Sequence, residues 1–402
     1  MTPPVTSPIA LPEETPVHHG ARTLRMPLDP LLTLAVLGLG ACSIVTLGAA
    51  TGNLVSGQPR YYVDRQATYL IVGLVLMVVL SRVDYSRLRH LMYPIYGALL
   101  SSILAVLALG HESALGAQRA IEFPLFSFQS SELGKVLLML ALSAFVVGRS
   151  RRLQSVGTTV RVMVAALVPA LFVVAQPDLG SGMVYMVIAF TLLFVAGTSW
   201  RQLTALIALV LVAAMCVLVA APAAGVHVLK HFQEERLTAF LHPSNNPQDR
   251  GSYQQEESKV AIGAGQKTGR GVNATQTKLN FVPEDHTDFI FAAVGEQYGF
   301  VGAAIVLSLY ALLIWRTLRI LTTAKDLFGS LVAAGVVAML MFQVFVNVGM
   351  SIGIMPITGV TLPLMSYGGS SVITTLLAVG LLQSIYVQAS ASSAQKGRVI
   401  RY

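Results

Sequence analysis

The sequence predicts an all-α polytopic membrane protein of about ten transmembrane helices, with a large extracellular loop between helices 7 and 8. Three observations carry this prediction. Of 402 residues, 54% are hydrophobic and only 11% charged, whereas a soluble domain carries roughly 25% charged residues. Apolar runs of roughly 20 residues, enough to cross a hydrocarbon core of about 30 Å, recur along the chain. Lys and Arg gather in alternate connections between those runs.

The elements follow in order. Residues 1–28 are polar and Pro-rich (TPPVTSPIALPEETP) and read as a disordered cytoplasmic tail without a cleavable signal. A single membrane domain occupies 29–390, with spans at 30–51, 66–82, 91–110, 132–148, 160–177, 179–198, 202–229, 288–315, 327–354 and 367–390. The eighth is long enough to tilt or to begin outside the bilayer. Residues 391–402 form a second cytoplasmic tail.

Orientation follows from the basic residues. With the N-terminus inside, the inner connections hold clusters such as Arg82, Arg87 and Arg89, or Arg149, Arg151 and Arg152. The short outer connections hold Arg60, Arg65 and Arg119. Both termini are then cytoplasmic. The net charge of +8 reflects this pattern and does not argue for nucleic acid. Cys42 and Cys216 sit in apolar runs and imply neither a disulfide framework nor a metal site.

Two stretches stand apart. The large loop, 229–287, contains turn signals (HPSNNPQDRG) and a Gly-rich run (GAGQKTGRG). That run lacks the spacing of a nucleotide-binding loop, and its Lys267 and Arg270 read as a solvated turn. The uncharged stretch MPITGVTLPLMSYGGSS, 355–371, is dense in Pro and Gly. It reads as an outer loop or as re-entrant backbone, tolerated only where protein or water covers it.

Ionisable residues at membrane depth are costly and point to function. Arg65, Arg119, Glu132, Lys135, Asp178, Arg236, Lys259 and Asp288 all fall on the outer side in this topology. Each has a plainer alternative. Glu132 and Lys135, three residues apart, also read as an ion pair pinning a helix end. Asp178 reads equally as a helix N-cap, and Arg65 and Arg119 as side chains reaching lipid headgroups. His286 and Asp288 without a second His/Cys cluster make a poor zinc site. A cavity with several cations and a spare carboxylate suits an anionic, lipid-linked substrate: cations hold phosphate, and the acid takes a proton. An enzyme and a transporter of such a lipid share these features.

The motifs go further. FQSSELGK, QPDLGSG, YQQEESKVAIGAG, PEDHTDFIF with GEQYGFVGA, and NVGMSIGIMPITGVTLPLMSYGGSS resemble, in order, elements of the SEDS family (shape, elongation, division and sporulation). The resemblance covers nearly the whole chain. NVGMSIGIMPITG and FVPEDHTDFIF are more similar to its elongation branch, RodA, than to its division branch, FtsW. Departures fall at Ser130, Ala120, Glu257, the Ala264–Gly265–Gln266 run and Leu362 to Met365. None touches the charged set.

The resemblance implies a peptidoglycan glycosyltransferase in the bacterial cytoplasmic membrane, polymerising lipid II at its outer face beside a class B penicillin-binding protein. The family's essential aspartate falls on Asp288, as general base. Its polar cavity falls on Arg65, Arg119, Glu132, Lys135, Asp178, Arg236 and Lys259, with Tyr367 and Ser370. Dependence on Mg²⁺ or Mn²⁺ is implied, with no metal site readable. The rival readings are a lipid II flippase, an FtsW-like division enzyme and a non-catalytic scaffold.

Overall fold

The computed structural model describes residues 28–52, 58–110, 120–122, 127–150, 154–216, 240, 250–277, 279, 281–282 and 284–399. Helices form on the apolar runs. α1 (Pro30–Ala50) opens at Asp29, whose carboxylate accepts the Leu32 N–H while Pro30 supplies a preset φ. Then come α2 (Tyr61–Arg82), α3 (Met92–Leu109), α4 (Ser130–Val147), α5 (Val156–Ala175), α6 (Leu179–Val195) and α7 (Trp200–Met215). After the large loop's first half follow α8 (Arg250–Gly265), α9 (Ile290–Thr323), α10 (Leu327–Ser351) and α11 (Gly369–Val399). Among the described residues, eight helices are long and apolar enough to cross a membrane, and α6 and α7 are shorter apolar helices. At 17 residues α6 rises about 26 Å. Ten apolar helices therefore stand where ten spans were expected, and the all-α membrane fold holds.

Four features differ from the expectation. α2 starts at Tyr61 rather than 66, because an N-terminal turn accommodates Asp64 against the helix dipole. Arg65 thus lies inside the helix rather than ahead of it. Ile121–Glu122 and Ser127–Phe128 pair as a short antiparallel ladder. Within the large loop, Arg250–Gly265 is helical, and its buried stripe is Ser252, Gln255, Ser258 and Ala261. That face is mostly polar, so hydropathy does not reveal it. Ser258 Oγ donates to the Ser351 carbonyl at 2.8 Å and Gln255 Nε2 to that of Met355 at 2.9 Å, which staples α8 to the end of α10.

The fourth is a break in α9 at Gly299, where φ is 62° and ψ −158°, a conformation that glycine adopts without penalty. The N–H groups freed there do not stay unpaired. Phe300 N donates to the Gln266 carbonyl (2.9 Å) and Val301 N to that of Lys267 (3.1 Å). The backbone of the Gly-rich run is therefore a docking surface for α9, while the Lys267 and Arg270 side chains stay exposed in a solvated turn, as expected. A Cβ on Gly265 would sit 1.8 Å from the Gly295 carbonyl oxygen.

The Pro/Gly-rich stretch 352–368 is non-helical; Ile352 and Ile354 at its start are exposed, and 362–366 is buried, with Leu362, Leu364 and Met365 fully enclosed. Its carbonyls find donors from four helices. Ser43 of α1 donates to Met365, Gln66 of α2 to Ser366, Tyr310 of α9 to Pro363 and Asn347 of α10 to Val360. Ser43 and Tyr310 lie mid-helix, so this is backbone at membrane depth that protein covers.

At the opposite end of the bundle, Arg316 pairs with the buried Asp29, and Gln383 bonds the Asp29 backbone on both sides. This ties α1, α9 and α11 together.

Candidate active site

The N-terminal ends of α2, α4, α6, α9 and α11 meet at one end of the bundle, joined through the SYGGSS loop. Ser366 Oγ donates to the Thr287 carbonyl (2.6 Å) and accepts the Leu362 N–H. Tyr367 N donates to the His286 carbonyl at 2.9 Å, and its hydroxyl engages the Arg65 guanidinium. Burial pushes the Tyr367 phenol up to about 12. Gly368 N reaches Gln66 Oε1 at 3.4 Å. Ser370 Oγ accepts the Gln129 N–H (2.9 Å) and donates to the Ser127 carbonyl (2.6 Å).

Asp288 stands two residues ahead of Ile290, where α9 begins, rather than inside the first helical turn. Phe289 and Phe291 beside it are buried. Its carbonyl accepts Asn347 Nδ2 at 2.8 Å. The carbonyls of 286, 287 and 288 are therefore held one after another by Tyr367, Ser366 and Asn347, which fixes the backbone that carries the Asp288 carboxyl.

The other expected residues divide. Arg65 lies 4.6 Å from the centre of the Tyr61 ring, a cation–π contact. Asp178 caps α6: its carboxylate accepts Ser181 N (3.0 Å), Ser131 Oγ (2.7 Å) and Gln129 Nε2 (3.1 Å). Lys135 Nζ lies 2.6 Å from Glu132 Oε1, with the two residues 1% and 5% exposed, so the Lys135 charge is already matched inside the protein. Lys259 pairs with Glu256 on the exposed side of α8 (2.6 Å). Two residues along, Ala261 packs in a cluster with Phe289 and Met350, so α8 lies against the start of α9. Arg119 and Arg236 lie outside the described residues.

Sequence reasoning missed several polar groups. Asn347, fully buried, shows in the sequence as one of two amides, with Gln343, in the apolar run FQVFVNVGM. Glu296, fully buried, accepts the N–H groups of Thr275, Gln276 and Thr277, each at 2.8 Å. Asp285 reads as a loop acid but is 0% exposed, with Oδ1 3.2 Å from His286 Nδ1. Burial pushes its carboxyl up, and His286 partly offsets this.

Among the described residues, no three His, Cys, Asp or Glu side chains group to hold a metal ion.

Comparison with known proteins agrees in extent. The FtsW/RodA/SpoVE family model, described as cell cycle protein, matches residues 28–391. The chain is 37% identical over 360 residues to the peptidoglycan glycosyltransferase MrdB of Escherichia coli K12, covering 89% of this chain and 93% of that one. It is 36% identical over 364 residues to a probable peptidoglycan glycosyltransferase FtsW of Thioalkalivibrio sulfidiphilus, covering 89% and 88%. Among solved structures, a chain from a peptidoglycan synthase complex that coordinates polymerization and crosslinking superposes with a TM-score of 0.75 at 32% identity, covering 90% of this chain and 99% of that one. The rod shape determining protein RodA of Thermus thermophilus gives 0.63 at 30% identity, covering 90% and 97%.

Proposed function

We propose, from the premise that this chain belongs to the FtsW/RodA/SpoVE family of cell cycle proteins, that it is a RodA-like peptidoglycan glycosyltransferase. It polymerises lipid II at the outer face of the bacterial cytoplasmic membrane, for cell-wall elongation and shape. Both termini lie in the cytoplasm, and the partner is a class B penicillin-binding protein that crosslinks the product.

The observation that carries this reading is the triple anchoring of 286–288 by Tyr367, Ser366 and Asn347. A general base must be held within hydrogen-bond reach of the proton it takes, and a fixed backbone supplies that placement. Asp288 takes the proton from the sugar 4-hydroxyl as its oxygen attacks the anomeric carbon with inversion. The bond to undecaprenyl pyrophosphate breaks, and the leaving group keeps the electron pair. Arg65 and Lys259 neutralise that pyrophosphate, an electrostatic effect often worth several kcal/mol, together with Arg119 and Arg236 by resemblance. Lys135 is assigned to holding Glu132, and Asp178 and Ser370 to holding α4 and α6 against the SYGGSS loop.

A flippase needs ionisable groups along a path through the middle of the bundle. The charged residues of the described spans instead lie within about two turns of a helix end. The test is to purify the protein with its cognate penicillin-binding partner, supply lipid II, block transpeptidation and separate the products. Glycan ladders support the polymerase. Lipid II crossing vesicles without any ladder supports the flippase.

A further inference from the structure

Beside the anchored Asp288 lies a pair that the reaction above does not use. Asp285 is 0% exposed and holds His286 Nδ1 at 3.2 Å, while the His286 side chain is 18% exposed. The ring is framed by aromatics: its centre is 4.8 Å from that of Tyr62 on α2 and 6.1 Å from that of Tyr367. A carboxylate on Nδ1 fixes both ring orientation and tautomer, leaving Nε2 as the nitrogen able to accept a proton.

We propose that His286 relays the proton that Asp288 takes from the sugar hydroxyl, with Asp285 as the positioning residue that fixes and charges the relay. The inference rests on the glycosyltransferase reading. The step balances. The hydroxyl O–H breaks as the glycosidic C–O bond forms, and the proton passes to the Asp288 carboxylate. It moves on to His286 Nε2, and the Asp285 carboxylate balances the imidazolium that results. His286, the partly exposed member, then releases it to the outer solution, and Asp288 is again a base for the next sugar. The groups against His286 are Asp285 on its own segment, Tyr62 on α2, and Tyr367 with Arg65 behind it, while Glu284 acts on Asp285 and Tyr62 and holds the Thr287 hydroxyl. Asp285 is the acid in hydrogen-bond contact with the ring. Burial also raises the Asp285 carboxyl, so acid neutralises the carboxylate that positions the ring.

The relay works only while His286 is neutral and able to accept a proton, so the rate falls in acid. The experiment is initial polymerisation rates between about pH 5 and 9, using the full chain with its penicillin-binding partner, lipid II and blocked transpeptidation. Asp285→Asn, which takes the carboxylate away from the imidazolium the relay forms, is expected to change the acid limb of kcat while leaving the rate on the alkaline plateau nearly intact. His286→Gln is expected to lower kcat at least tenfold near neutral pH and to abolish that limb, with KM within about twofold. The proposal is overturned by an acid limb unmoved in Asp285→Asn, or by rates scaled down equally at every pH in both variants, the mark of a purely structural role. Melting temperatures of both variants separate misfolding from chemistry. A wild-type complex that makes no polymer at any pH overturns the glycosyltransferase reading itself, and the relay with it.

Discussion

One amide of Asn347 bridges two segments: its Nδ2 donates at 2.8 Å to the carbonyl of Asp288 and at 2.8 Å to that of Val360. The start of α9 is thereby tied to the buried stretch before α11 through a single side chain of α10. Asn347→Ala leaves two carbonyls without a donor. It is expected to destabilise by at least about 2 kcal/mol and to lower polymerisation at least tenfold. Melting in detergent and ladder assays check both. Wild-type activity in Asn347→Ala would show that the anchoring of Asp288 does not matter.

The Glu132–Lys135 pair is buried, so removing one charge strands the other. Glu132→Gln or Lys135→Met alone is expected to cost about 3–5 kcal/mol. The double variant is expected to cost less than either single one. A double-mutant cycle reads this directly, and additive costs would mean that the two side chains do not act as a pair.

The contact of α8 with α9 predicts opposite outcomes for two neighbouring glycines. Gly265→Ala places a Cβ 1.8 Å from the Gly295 carbonyl oxygen. Backbone cannot swing aside as a side chain can, so a loss of about 1–3 kcal/mol follows. Gly263→Ala meets nothing within 4 Å and is expected to be neutral or to stabilise by up to about 1 kcal/mol. Equal effects at the two sites would refute the docking geometry.

Burial raises the Asp285 carboxyl, which fixes a sign. A group whose folded-state pKa is raised contributes stability below its unfolded pKa and loses it as pH rises through the folded value. Asp285→Asn removes that loss. It is therefore expected to raise the melting temperature at neutral pH, with the gain shrinking as pH falls toward about 4. A gain that instead grows in acid would reverse the assignment.

Chelation separates two places for a divalent ion. With no protein-built cage among the described residues, we assign Mg²⁺ or Mn²⁺ to the substrate's pyrophosphate. EDTA is expected to stop polymerisation while leaving the melting temperature unchanged. A fall in melting temperature on chelation would place the ion in the protein.

Much of this was legible in the sequence, for physical reasons. The ten apolar runs betray themselves because lipid tolerates little else, and Asp288 stood out as the acid at an apolar boundary within a family motif. Arg65, Tyr367 and Ser370, assigned by motif, do meet around one loop. What stayed hidden depends on partners distant in sequence. The buried face of α8 is Ser252, Gln255 and Ser258, a polar stripe whose value appears only against the carbonyls beyond α10. The burial of Asp285, a loop or capping acid by its sequence, stayed hidden because nothing local shows that α2 and the SYGGSS loop close over its histidine. The break at Gly299 was unreadable because its N–H groups are satisfied by Gln266 and Lys267, more than thirty residues upstream.

The central claim is that Asp288 is the base of a polymerase. The direct measurement is glycan synthesis from lipid II by the wild-type and Asp288→Asn proteins, each purified with its penicillin-binding partner and matched for melting temperature. The account predicts ladders from the wild type and a loss of at least about a hundredfold in Asp288→Asn, within the range that general-base catalysis contributes. Ladders of undiminished rate from a folded Asp288→Asn protein would contradict it.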